Sequence, residues 1–393
     1  MTDVIDHTRS PSRHRAATTV ATGRARRLRA TLVLALAACL VAGLAVASPA
    51  LARVPRHFYG IVSATSLGGG DYERMHRARV GSLRFQVPWP AVQPKRHGPF
   101  YWTGPDQIVA QAAKHHIALL PILVGTPAYE AHGCSSCGGH IHIAGKGQRR
   151  DWQAFVRSVV KRYGRHGDFW GAQPDLPYDP ITRYQIWNEQ NNPKQRNSPK
   201  LYRRLLAVTD RAIRSVDARA STISGGMPGT TGGGRKTNAW RYLNSLYEHG
   251  AGKFLDGVAL HPYSPNIAGI RAQIERIRRV MRRHHQGSDH VFLTELGWGS
   301  GGHRHFPGTG SRGQAFVVNA KQQKRKLARS FGLLTHHRRG WRIGGVYWFQ
   351  WKDPKHPPRG LCAFCYTAGL YKADGRRAKP ALSAYRRFTN KTG

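Results

Sequence analysis

Between residues 53 and 393 the sequence repeats one alternation eight times. A short apolar or β-branched run is followed by a loop, and then by apolar residues at helical spacing. The runs read as strands are His57–Val62, Gly81–Val87, Ile117–Val124, Arg183–Trp187, Ser221–Gly226, Gly257–His261, His290–Glu295 and Gly345–Trp351. Helical stripes separate them. Trp152, Val156, Val159 and Tyr163 form one; Leu201, Leu205, Val208, Ala212 and Val216 another; Ile267, Ile270, Ile274, Ile277 and Met281 a third. Asp71–Val80, Asp106–His116, Asn238–His249 and Arg312–Leu334 supply further helices, and Ala381–Phe388 closes the series. Eight strand–helix units predict a (β/α)8 barrel, a TIM barrel, as a single α/β domain. A doubly wound sheet would carry a Gly-rich phosphate turn after its first strand, and Leu67-Gly68-Gly69-Gly70-Asp71 does not match one. The long loops follow the third, fourth, seventh and eighth strands, where a barrel builds its active face.

That topology makes the carboxylates worth locating, because acids are scarce. The chain holds 62 Lys+Arg against 20 Asp+Glu. Past residue 52 the glutamates are Glu73, Glu130, Glu189, Glu248, Glu275 and Glu295. Glu73, Glu248 and Glu275 fall in helical patterns, where a solvated carboxylate is the default. Glu130 reads as an exposed loop charge. Glu189 and Glu295 each end an apolar strand, the fourth and the seventh. Ring closure brings such ends around one cavity, which suits acid–base and nucleophilic chemistry. Two strand-end carboxylates paired with surplus Arg would be the bland account. Their flanks, Trp187-Asn188 and Trp298, favour catalysis.

Trp187-Asn188-Glu189 after the fourth strand and Thr294-Glu295 at the seventh resemble the signature of the clan A retaining glycoside hydrolases. The resemblance spans residues 57–389. Arg84 on the second strand, His261-Pro262-Tyr263 at the sixth and Trp348 and Trp351 at the eighth agree with it. Within the clan, the motif is similar to those of β-xylosidase-like and exopolysaccharide-hydrolase-like families. Gln190 departs from their usual Pro, so no single family follows. The resemblance implies Glu189 as acid/base and Glu295 as nucleophile. It implies Arg84 beside the nucleophile, Asn188 on the sugar 2-hydroxyl, and His261 and Tyr263 orienting Glu295. Trp348 and Trp351 stand where the clan has a sugar platform, with Trp89 and Trp298 looser candidates for sugar stacking. Trp348 and Trp351 differ in strand parity, so both cannot face one cavity. No cofactor or metal is implied, the partner is a carbohydrate substrate, and a monomer is expected.

The first 52 residues read as an export signal: seven Arg in a polar start, an apolar run over 30–47, and Ala50-Leu51-Ala52 at the end. Cleavage is expected after Ala52, which makes the protein secreted. An uncleaved membrane anchor is the alternative, as is a lipoprotein at Cys39. Removing this segment takes away seven Arg and two Asp, so the formal charge falls from +42 to +37. The basicity therefore belongs to the folded part. It suits an anionic cell-envelope polymer better than specific nucleic acid, since no compact basic-aromatic motif appears. A non-catalytic carbohydrate- or polyanion-binding envelope protein is the competing reading.

Four cysteines remain, as Cys134-x-x-Cys137 and Cys362-x-x-Cys365. In an exported protein they are disulfide candidates with three possible connectivities. A four-Cys zinc site, or one assisted by His140 and His142, is the alternative. A metal-dependent hydrolase built on His140/His142, His284/His285 or His303/His305 is disfavoured, because these pairs do not sit at strand ends.

Overall fold

The computed structural model describes residues 53–131, 139–230, 237–302, 313–356 and 362–393. The segment 1–52, Cys134, Cys137, His303 and His305 lie outside the described residues. Nine parallel strands run in chain order: β1 (Tyr59–Val62), β2 (Ser82–Pro88), β3 (Ala118–Val124), β4 (Arg183–Ile186), β5 (Ser221–Ser224), β6 (Met227–Pro228), β7 (Gly257–His261), β8 (His290–Leu296) and β9 (Ile343–Phe349). β1 pairs with both β2 and β9, and β5 reaches β7, so eight strands close a ring. This is the (β/α)8 barrel the alternation predicts. β6 is an extra two-residue strand beside the end of β7, where Pro228 registers with His261.

The ring is uneven. β2 and β3 share seven registered pairs, Ser82↔Ala118 through Pro88↔Val124, whereas β5 and β7 share one, Ile223↔Gly257. Above that pair Ser224 Oγ accepts a hydrogen bond from Ala259 N at 2.8 Å, a side chain standing in for the ladder.

Ten α-helices are described: α1 (Gly69–Arg77), α2 (Trp89–Val92), α3 (Thr103–Lys114), α4 (Lys146–Tyr163), α5 (Asp168–Ala172), α6 (Pro199–Arg214), α7 (Ala239–Glu248), α8 (Ile267–Arg283), α9 (Ala320–His336) and α10 (Pro380–Thr389). Their starts follow capping chemistry. Ser198 accepts from Leu201 N ahead of α6, with Pro199 at the first helical position. Asn266 caps α8 through Gly269 N. Asn319 and Gln322 form a reciprocal box at α9, which is why that helix begins eight residues later than the sequence pattern predicts. The expected stripes on α4, α6 and α8 face the core, with Leu201, Val216 and Ile267 half-buried and Val216 two residues past α6; each fully buried Val, Leu or Ile contributes about 1.5–3 kcal/mol.

Two apolar layers result. Val62, Leu120, Ile223, Ala259, Phe292, Tyr347 and Phe349 form the inner cluster, while the alternate strand residues join the helices in the larger outer core. This sorting corrects three expectations. Trp348, Trp351 and Trp298 are all 0% exposed and belong to the outer core. Trp348 lies on the helix-facing parity of β9, between Tyr347 and Phe349, and its Nε1 donates to Ala368 O at 3.1 Å. β9 ends at Phe349, so strand alternation does not reach Trp351. That ring packs on Tyr371 at 4.8 Å and donates to Asp71 Oδ1 at 3.2 Å. Trp298 donates to Ser264 O at 2.9 Å. Trp89 is likewise core, bonded to Gln93. None has a free face for a sugar. Trp348→Ala is therefore expected to behave as a core truncation, lowering unfolding stability by about 3–5 kcal/mol, read from the denaturant midpoint.

Candidate active site

Arg84 from within β2 and the carboxyl ends of β4, β7 and β8 converge on Glu189 and Glu295. Glu295 is the sixth residue of β8, and its side chain is largely buried, at 12% exposure. Glu189 lies three residues beyond β4 and is more open, at 26%. The connection between them and the wall is made by Arg84, on the inward parity of β2. Its Nε donates to Gln185 Oε1 at 2.6 Å, one terminal nitrogen to Glu295 Oε1 at 2.7 Å, and the other to Asn188 Oδ1 at 2.8 Å. Asn188 thereby turns its oxygen to the arginine and keeps its Nδ2 free of partners among the described residues.

The turn carrying Glu189 is held in an unusual shape. Trp187 has φ 70° and Glu189 φ 51°, both left-handed, a conformation that costs roughly 1–3 kcal/mol for a residue with a Cβ. This ends β4 one residue short of the expected boundary. The surroundings over-determine the turn. Trp187 N donates to Leu123 O at 2.9 Å and Glu189 N to Gly226 O at 3.1 Å. The Trp187 indole donates to Gln195 Oε1 at 3.0 Å.

His261, fully buried at the end of β7, sits between the two acids. Its Nδ1 is 3.2 Å from Glu189 Oε1 and 3.5 Å from Glu295 Oε2, while Nε2 is 3.1 Å from Thr294 Oγ1. A Cβ on Gly226 would lie 1.9 Å from His261 Nε2, so only glycine lets the imidazole reach this place. Tyr263 donates its hydroxyl to Glu295 Oε2 at 2.8 Å.

These contacts set the charge of Glu295. Burial alone would push its carboxyl up. The charges of His261 and Arg84, with hydrogen bonds from Arg84 and Tyr263, overcome that and hold it below the ordinary glutamate value. Burial, reinforced by the facing Glu295 charge, pushes the Tyr263 hydroxyl well above its ordinary value, so it stays a donor.

An oxygen of Glu189, an oxygen of Glu295 and a nitrogen of His261 lie within 4.8 Å of one another, which by donor type could hold a metal ion. Arg84, 2.7 Å from Glu295, already supplies the cation there, and a second would meet it at close range. The arrangement therefore offers an ionised carboxylate beside a second, more exposed carboxyl group, a pair able to act as nucleophile and proton donor.

Of the residues singled out from the sequence, Arg84, Asn188, Glu189, His261, Tyr263 and Glu295 are brought together. Trp298, Trp348 and Trp351 are not. Gln185 and Thr294 join the network through polar groups on inner strand faces, which parity alone could have marked. Glu130 departs from its expected exposure: it is 0% exposed, bonded to Arg96 at 3.2 Å, and pushed up to about 7 by burial and by Asp151 beside it. Cys362 and Cys365 are disulfide-bonded to each other, which removes both thiolates from any four-Cys zinc site.

No family model matches the chain, and no curated protein matches it. Solved structures do. A family 39 glycoside hydrolase from Bacteroides cellulosilyticus WH2 aligns with a TM-score of 0.63 at 19% identity, over 86% of this chain and 64% of that one. A monomeric β-xylosidase from Caulobacter crescentus CB15 aligns at 0.59 and 16% identity, over 87% and 69%. Xylanase 10B from Thermotoga petrophila RKU-1 aligns at 0.58 and 13% identity, over 86% and 94%. The match thus spans just under two thirds of the first of these proteins. At such identities the likeness is one of fold, and it agrees with the closed barrel.

Arg84→Met is expected to raise the Glu295 pKa by about 1–3 units, the usual effect of an adjacent guanidinium on a carboxylate. Carboxyl-carbon NMR of glutamate-labelled protein, assigned with Glu295→Gln, reads this directly. Because the folded pKa is depressed, the ionised Glu295 stabilises the wild type above the unfolded pKa. That contribution is lost as pH falls through the folded value.

Proposed function

We propose that this protein is a secreted retaining glycosidase acting on O-glycosidic bonds of an oligosaccharide or polysaccharide. The observation that carries the reading is the pairing of Glu189 and Glu295, with oxygens within 4.8 Å, at the ends of the fourth and seventh barrel strands. Retaining enzymes keep their carboxyl groups about 5–5.5 Å apart, and inverting ones about 6.5–9.5 Å, to admit a water. The shorter spacing supports direct attack. The likeness in fold to a family 39 glycoside hydrolase, a β-xylosidase and a xylanase is consistent with it.

In the proposed reaction Glu295, kept ionised by Arg84, His261 and Tyr263, attacks the anomeric carbon. Glu189 protonates the departing glycosidic oxygen. A glycosyl ester on Glu295 results, and the leaving sugar departs as an alcohol. Glu189, now a carboxylate, removes a proton from water as that water attacks the anomeric carbon and breaks its bond to the Glu295 oxygen, which restores Glu295 as a carboxylate. Asn188 Nδ2 is suited to donate to the sugar 2-hydroxyl, since Arg84 occupies its oxygen. Glu189→Gln and Glu295→Gln are each expected to lower turnover of aryl glycosides by at least about 10²–10⁴-fold. NMR of the first-formed sugar should find the anomer of the substrate. An inverted first product, or turnover that survives both substitutions, would sink the mechanism.

The +37 charge past residue 52 supports an electrostatic association with anionic envelope polymer. Export by the N-terminal segment predicts that N-terminal sequencing of protein from the medium begins at Arg53. A chain that still carries residues 1–52 would favour an anchor instead.

A further inference from the structure

Phe364 occupies a place that the carboxylate network alone does not account for. It lies in the 3-10 turn Ala363–Thr367, on the loop after β9. That turn starts at Cys362, which is disulfide-bonded to Cys365, so only Ala363 and Phe364 lie within the closed ring. The far arm of the loop is well anchored. Gln350 Nε2 donates to Cys365 O at 2.9 Å, Lys379 Nζ to Thr367 O at 2.8 Å, and Trp348 Nε1 to Ala368 O at 3.1 Å. Cys362, at the start of the turn, is held among the described residues by the disulfide and by a backbone hydrogen bond from Cys365 N to Cys362 O at 2.9 Å.

What the ring presents is an aromatic wedge. The Phe364 ring is 4.9 Å from that of Tyr263, 5.5 Å from Phe316 and 6.2 Å from Phe349. Tyr263 in turn donates to Glu295 Oε2 at 2.8 Å. A tyrosine holds such a bond only while its ring plane is fixed, and Phe364 is the nearest ring to it. The chain of contact runs from a covalent bond, through two aromatic rings inclined at 53° to one another, to the carboxylate.

We propose that the Cys362–Cys365 disulfide is a lock that seats Phe364 against Tyr263, keeps the Tyr263 hydroxyl on Glu295, and makes the site responsive to reducing surroundings. Phe364 is then a positioning residue. The proposal rests on the reading of Glu295 as the nucleophile. Reduction by an external dithiol balances simply. Two electrons and two protons pass to the protein, the S–S bond becomes two thiols, and the dithiol closes to its own disulfide. With that bond open, the turn Cys362–Cys365 is no longer closed, so Phe364 withdraws and Tyr263 turns.

The groups facing Glu295 are Arg84 from β2, Glu189 from the turn after β4, and His261 and Tyr263 from the end of β7. Loss of the Tyr263 bond alone removes one donor to the charged form, so the Glu295 titration should move up by about one pH unit. Since the attacking carboxylate must be ionised, the acidic limb of kcat/KM should move up with it, while KM at neutral pH changes little.

The test follows Glu295 by carboxyl-carbon NMR in the full chain, with and without dithiothreitol, and compares Phe364→Ala and the double variant Cys362→Ser/Cys365→Ser. The expected result is the same upward shift in reduced wild type and in both variants, with no further shift when the double variant is treated with reductant. An unmoved titration in reduced wild type overturns the lock. So does loss of cooperative melting on reduction, which would make the disulfide a support of the whole fold. Phe364→Leu, which keeps apolar bulk, should recover part of the shift. The NMR readout needs no turnover, so a protein that hydrolyses no glycoside would defeat the functional reading and leave the lock to be judged separately.

Discussion

One guanidinium organises the centre of this barrel. Arg84 spends its donors on three different elements: Gln185 in β4, Asn188 in the following turn, and Glu295 in β8. A buried arginine without partners would be prohibitively costly, so its position demands acceptors from across the ring. The same demand fixes what those acceptors can do. Glu295 is held as an anion, Asn188 is turned so that its amide nitrogen faces away from the arginine, and Gln185 is bound between the arginine and Thr294. Thr294 then meets His261, and His261 meets Glu189. The site is thus one connected polar network inside an apolar cylinder, where low polarity strengthens every link and makes each missing one expensive.

The parts of this network that were legible in the sequence share a cause. Strand ends can be recognised because apolar runs stop, and a carboxylate stands out where acids are rare. Glu189, Glu295, His261 and Tyr263 all carried charge or a polar tip at such a boundary, and Arg84 stood out as a charge inside the apolar run of β2. The tryptophans failed for the opposite reason. A Trp beside a strand end looks alike whether it faces the cavity or the helices, and a one-residue difference in strand boundary reverses its side. Trp348 sits on the outer parity and Trp351 lies beyond the strand. Glu130 escaped because its burial depends on Arg96 and Asp151, partners from distant segments that no local pattern reveals. Phe364 escaped because its role depends on a loop folded back over the barrel mouth.

Backbone shape is the other element hidden from sequence. The turn Trp187–Glu189 uses left-handed angles that neither residue prefers, and Gly226 is small because His261 stands where a methyl would be. Such conformations persist when packing outweighs their cost, and they gather where side chains must be aimed. Here they aim one carboxyl group and one imidazole at the same point.

The single registered pair between β5 and β7 has a mechanical meaning. A barrel is a hoop, and a hoop yields where its wall is thinnest. At this seam the wall is joined by one registered pair, the hydrogen bonds between Thr222 and Asp256, the Ser224 hydroxyl and the small strand β6. Thermal breathing should therefore begin between Ser224 and Ala259 before it reaches the broad β2–β3 ladder. His261 and Gly226 border that seam, and His261 lies 3.2 Å from Glu189 and 3.5 Å from Glu295, so motion there alters the gap between the two acids. The two carboxylates consequently stand on opposite sides of the seam, Glu189 after β4 beside β5 and Glu295 in β8 beside β7, so the weakest joint of the hoop is also the one that sets their spacing.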